Sequence, residues 1–135
     1  MSEETVSRDH VVAVVQAFID GMGSGNWEQP EKVLAAVADD ASWWIAGGPP
    51  LGGTFTKQDI MERYRPLSER FDGGLDLTPR YWTVEGNRAA VEFDGKMKFV
   101  DGSGYGNKYN FVFTVTGDQI SEIREYWDTG AGPKK

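Results

Sequence analysis

After the phrase "FDGG" at residues 71–74 the chain changes period. Apolar and polar residues alternate through "LDLTPRYWTVEG", "NRAAVEFDGKMKFVDG", "NKYNFVFTVTG" and "DQISEIREYWDT", and "EGN", "DGSGYG" and "TGD" separate these runs. A two-residue period sends successive side chains to opposite faces of a strand. Glycine with Asn or Asp supplies the tight turns that join antiparallel neighbours. Four consecutive antiparallel strands are therefore expected over the second half of the chain, and they leave the first half to cover one face of the sheet.

That first half has a different rhythm. In "HVVAVVQAFIDGM", Val11, Val14, Val15, Phe18 and Met22 recur at spacings of three and four, the mark of an amphipathic helix. The glycine-rich "GMGSGN" ends it, and "WEQPEKVLAAVA" reads as a second helix with Pro30 near its first turn and Val33, Leu34 and Val37 on its buried face. "DDASWWIAGG" turns into a short strand, and "GGPPLGG" is a loop, because its prolines and glycines support neither ladder nor helix. Thr56 followed by Asp59 is a variant of the helix-start capping pattern and predicts a third helix through "KQDIMERY", with Ile60, Met61 and Tyr64 inward and an end near Pro66. The expected fold class is α+β: three N-terminal helices packed on a curved, mainly antiparallel sheet, with an internal pocket between the layers.

At 135 residues this is one domain, with a core over about 9–129 and a loose tail at 130–135. A net charge of −7, spread along the chain without a basic block, disfavours nucleic acid as a partner. The absence of cysteine removes disulfides, thiolate metal sites and cysteine nucleophiles. The start "MSEETVSRDH" does not read as an export signal, and no segment approaches the ~20 apolar residues of a membrane span, so a cytoplasmic location is expected. The single histidine, His10, has no second histidine or cysteine to form a transition-metal site. "DGSGYG" lacks the GK[ST] ending of a phosphate loop and is read as a hairpin turn.

The phrases "VVQAFIDGMGSGNWEQPEKVLAAVADDASWW", "FTKQDI" and "NFVFTVTGDQISEIREYWD" resemble the nuclear transport factor 2-like superfamily, specifically its SnoaL-like and ketosteroid-isomerase-like branch. The resemblance implies a cone-shaped fold and a small-molecule pocket, but the superfamily spans isomerases, cyclases, epoxide hydrolases, dehydratases and non-enzymatic modules. In the ketosteroid isomerases a carboxylate base lies on or just after the first strand, and a tyrosine with a protonated acid holds the dienolate oxygen. Here "SWWIAGGPPLGG" contains no acid, Phe18 takes the tyrosine's place, and Tyr109 falls near the protonated acid. The closing strand is similar to that of the limonene-epoxide hydrolase branch, and Asp128 takes the place of its acid. The arginine of that branch's Asp-Arg-Asp set has no counterpart between Arg88 and Arg124, and Met97 and Phe99 stand where its companion acid would be sought.

In "IREYWDT", Arg124, Tyr126 and Asp128 share one face of the strand, either wet surface or pocket wall, and family position favours the pocket. Asp128 is then the candidate general acid or base, Tyr109 and Tyr126 candidate hydrogen-bond donors, and Arg124 a charge partner. Phe18, Trp44, Tyr64, Phe71, Met97, Phe99, Phe111 and Phe113 are candidate ligand-lining residues, with core filling as the competing role. Trp43 and Trp44 face opposite sides, one toward core or pocket and the other toward a dimer interface, without the register being fixed. The functional expectation is a homodimeric protein that binds a small hydrophobic or polycyclic molecule; if it is an enzyme, the expected chemistry is proton transfer without a cofactor, with Asp128 as acid or base. The alternative is a non-catalytic ligand-binding or dimerisation module.

Overall fold

The computed structural model describes residues 7–128; the expected tail at 130–135 lies outside the described residues. Helix α1 (Arg8–Gly23) starts where Ser7 caps it, its hydroxyl accepting from the His10 amide at 3.0 Å, which satisfies one of the donors a helix start leaves open. Its buried stripe of Val11, Val14, Val15, Phe18, Ile19 and Met22 lies across the sheet. The expected second helix is shortened to one turn, α2 (Pro30–Val33). The reason is competition with the sheet: β1 (Val37–Ile45) starts where the helix was expected to continue, and the Ile120 amide donates to the Ala36 carbonyl at 2.8 Å.

Beyond the glycine-proline loop, a strand not read from the sequence, β2 (Gly53–Thr56), pairs antiparallel with β1. Helix α3 (Lys57–Tyr64) carries the expected capping box: the Thr56 hydroxyl accepts from the Asp59 amide at 3.0 Å and the Asp59 carboxylate accepts from the Thr56 amide at 2.9 Å. The buried Lys57 ammonium donates to the Val37 carbonyl at 2.8 Å and reaches Asp39 at 3.2 Å, tying α3 to β1. A 3-10 helix (Arg65–Arg70) follows, with Pro66 in its first turn.

The four expected strands are β3 (Asp76–Glu85), β4 (Arg88–Lys98), β5 (Gly104–Thr116) and β6 (Gln119–Trp127). The sheet order is β2-β1-β6-β5-β4-β3, antiparallel throughout except where β1 lies parallel to β6. Pro79 is tolerated because β3 is an edge strand and its pairing with β4 is irregular at that point. The β3–β4 and β5–β6 turns place Gly86 and Gly117 at φ 59° and 61°, a left-handed conformation that glycine adopts without steric cost. Helices and sheet enclose a core in which Phe18 meets Trp43, Phe111 and Phe113 at ring separations of 5.8, 5.9 and 5.2 Å. No helix among the described residues is long and apolar enough to cross a membrane.

Candidate functional site

At the open end of the cone, α3, the 3-10 helix and the sheet diverge around a cavity of about 590 Å³. One wall is hydrocarbon and aromatic, formed by Leu67, Phe71, Leu75, Met97 and Phe99; Tyr64, Tyr105, Tyr109, Glu125 and Trp127 form the other, and Arg63 and Arg70 also border the space. The residues that bring polar groups inside come from β5, β6 and α3, whose inner faces converge here.

Strand β6 decides which acid enters. Thr114 pairs with Glu122 but Val115 with Ile120, so β6 bulges at Ser121 and both Ile120 and Ile123 are fully buried despite a three-residue spacing. From Ile123 onward the odd positions point inward, placing Ile123, Glu125 and Trp127 on the cavity side and Arg124, Tyr126 and Asp128 on the outer face. The same parity on β1 turns Ala41, Trp43 and Ile45 inward and Trp44 outward.

Glu125 sits opposite Ile45 in the parallel ladder and accepts a 2.9 Å hydrogen bond from the Trp43 indole Nε1. Burial pushes its carboxyl up to about 7, against the Trp43 hydrogen bond and the Arg63 charge, both of which pull it down. The Tyr64 phenol is raised by its own burial first and then by the nearby Glu125 charge. Tyr109 is likewise raised, by burial and then by its hydrogen bond to Tyr105, so its proton is retained at any physiological pH. The Tyr109 hydroxyl donates to the Tyr105 oxygen at 3.3 Å, and the same oxygen accepts from the Asn107 amide at 2.7 Å. The Tyr105 oxygen thus accepts twice, from Tyr109 and from Asn107, on the cavity wall.

Several sequence-based assignments are relocated by this geometry. Tyr64, Phe71, Met97, Phe99 and Tyr109 lie on the cavity wall. Phe18, Phe111 and Phe113 are fully buried beneath it and fill the core. Trp44, Arg124 and Tyr126 cluster on the outer face: the Arg124 guanidinium lies 4.3 Å over the Trp44 ring and donates to the Tyr126 hydroxyl at 3.3 Å, while the two rings meet edge-on at 5.2 Å. Asp128 is exposed and borders an outer-face groove with Asp94, which is bound by Arg80 and Lys108. On β6 the physical reason is the bulge at Ser121, which sets the parity of Arg124, Tyr126 and Asp128. Glu125, Tyr105 and Arg63 are not among the residues the sequence singled out, and of the two tryptophans it left open Trp43 is the inward one. The available signal for Glu125 was its place between Ile123 and Trp127, two apolar residues on its own face.

Among the described residues, no group of three or more His, Asp or Glu side chains is placed to hold a metal ion. A family model for the SnoaL-like domain matches residues 15–123, most of the chain. The chain belongs to the SnoaL-like family. Solved structures agree on the architecture of this SnoaL-like domain. A nuclear transport factor 2-like protein from Burkholderia xenovorans is 27% identical, with a TM-score of 0.68 over 93% of this chain and 94% of that one. An epoxide hydrolase of the LEH-like type from M. tuberculosis is 19% identical, with a TM-score of 0.73 over 96% and 89%. PrhC from Penicillium brasilianum is 15% identical, with a TM-score of 0.78 over 92% and 83%. No curated protein matches the chain.

Proposed function

We propose that the conical cavity binds a small, mainly apolar molecule and that Glu125 exchanges a proton with it. The observation that carries this reading is the Glu125 carboxyl itself, on the cavity wall, anchored by Trp43 and raised by burial to about 7. A group poised there is present in both protonation states at neutral pH and can accept a proton or give one up, which is what acid–base catalysis needs. Tyr109 keeps its proton and donates it to the Tyr105 hydroxyl, which borders the cavity and is suited to hold an oxygen on which negative charge develops. The reaction class is proton transfer, as in isomerisation, cyclisation or hydration, with no step that requires a cofactor. The fold shared with the M. tuberculosis epoxide hydrolase is compatible with this class.

A non-catalytic alternative has one observation in its favour: the inward-facing side chains of β4, Ala89, Val91, Phe93 and Met97, are all apolar, so this strand brings no polar side chain to the cavity. One experiment separates the two readings. Thermal-shift screening with steroids, aromatic polyketides and terpene epoxides finds a ligand, and turnover of that ligand is then compared in Glu125→Gln and Asp128→Asn. Loss of about 10²–10⁴-fold in kcat for Glu125→Gln with Asp128→Asn unaffected is expected. Full turnover by Glu125→Gln would remove Glu125 from the chemistry, and binding without turnover in the native protein would favour the non-catalytic module.

A further inference from the structure

The arginines of the cavity point to the charge of its ligand. Arg63 is half-buried on α3, and its guanidinium is held by carbonyls alone, at 3.2 Å from Pro50 and 3.4 Å from Leu51, while lying 4.3 Å over the Phe55 ring. Among the described residues no carboxylate forms an ion pair with it, nor with Arg70, which borders the same cavity. Yet the chain carries 21 acidic side chains against 14 Lys and Arg. Arg70 stands near Asp101, whose carboxyl is lowered by hydrogen bonds from Ser103 and then by the Arg70 charge, so Arg63 is the arginine that, in so acidic a protein, sits beside an apolar space without a carboxylate ion pair and is a poor fit to a wholly neutral guest. Among the described residues Glu125 is the one carboxylate lining the cavity, and Arg63 acts on it through its charge rather than by direct contact.

We infer that this cavity takes an amphipathic anion, an apolar body lying against Phe71, Met97 and Phe99 and ending in an anionic oxygen group at Arg63, with Arg70 at the mouth. The inference rests on the proposed ligand site and specifies the class of molecule that fills it. A planar guanidinium offers paired donors to a carboxylate or sulfonate, and the two long bonds to loop carbonyls leave it capacity to do so. The hydrocarbon wall supplies the remaining affinity by burial.

The test uses two fluorescent probes of one skeleton, anilinonaphthalene sulfonate and its uncharged parent phenylnaphthylamine, titrated against the native protein, Arg63→Gln, Arg63→Lys and Met97→Trp. The sulfonate should bind about tenfold more tightly than the parent. Arg63→Gln should remove that preference while leaving the parent's affinity within about twofold, Arg63→Lys should keep most of it, and Met97→Trp should weaken both probes. Equal affinity for the two probes overturns the anion inference and leaves the cavity intact as a ligand site. A preference that survives Arg63→Gln also overturns it, as does equal weakening of both probes by Arg63→Gln and Arg63→Lys, which would make Arg63 a strut for the loop. If neither probe binds, the ligand site itself fails and the inference falls with it.

Discussion

Glu125 concentrates the consequences that a single side chain can carry. Folding raises its carboxyl from an ordinary 4.5 to about 7, in surroundings set by Trp43 on β1, Arg63 and Tyr64 on α3, and Tyr109 on β5. The folded chain therefore holds this proton more tightly than the unfolded one. Its contribution to stability is full below pH 4.5 and is lost as the pH rises through 7, with a size on the order of 2 kcal/mol once its partial solvent contact is allowed for. Urea titrations of native protein and Glu125→Gln should diverge across that window, the variant becoming relatively more stable as the pH rises. Parallel stability curves would show that the carboxyl titrates at its ordinary value. Trp43→Phe gives an independent check, because the indole hydrogen bond opposes the effect of burial. Its loss should move the Glu125 midpoint still higher, read from the side-chain carboxyl resonance by NMR, and a midpoint that falls or stays would contradict the assigned role of Trp43.

At the scale of elements, the cavity depends on how closely strands approach. A Cβ added at Gly95 on β4 would lie 2.6 Å from Tyr109 Cε1 and 3.0 Å from Cδ1, so the tyrosine ring occupies the space that the missing side chain leaves. Gly95→Ala should therefore cost about 1–3 kcal/mol by overpacking and displace the Tyr109 ring. Chemical denaturation checks the first effect and reduced affinity for a cavity ligand the second; a neutral substitution would mean that β4 can shift without disturbing the wall. The strands themselves were legible because alternation and glycine turns act locally: α1, α3 with its capping box, and β3 to β6 all follow from nearest-neighbour chemistry. What was not legible depends on long-range pairing. The sequence "LAAVA" suits a helix, yet residues 34–36 turn and the strand begins at Val37, which pairs with Ile120. The bulge at Ser121 shifts β6 by one residue, and a shift of one exchanges the two faces of a strand; alternation alone left the face of Asp128 open, and family position, which turned it to the pocket, does not register that shift. The paired apolar neighbours Ile123 and Trp127 carried the opposite parity, but a strand with aromatics on both faces does not declare its inside without its partners.

For the whole molecule, the face opposite the helices matters most. Trp44 and Tyr126 are large aromatics bound together there by Arg124 on a surface that takes no part in the cavity. We propose that two copies pair through this face, since aromatic and arginine side chains of this kind are favoured at the centres of interfaces. Each copy brings a net charge of −7, so pairing works against a general repulsion that salt screens. Association should therefore strengthen between low and physiological ionic strength, opposite to the trend for an interface built on attraction between unlike charges. Sedimentation equilibrium at micromolar concentration measures this directly. Trp44→Glu places a further negative charge on each copy at the same face and should shift the population to monomer, while probe binding in the cavity stays intact because the side chain points away from it. A native protein that sediments as a monomer at every concentration and salt level would rule the pairing out. Loss of probe binding in the Trp44→Glu monomer would show instead that the outer face and the cavity are coupled, with the sheet between them transmitting the change.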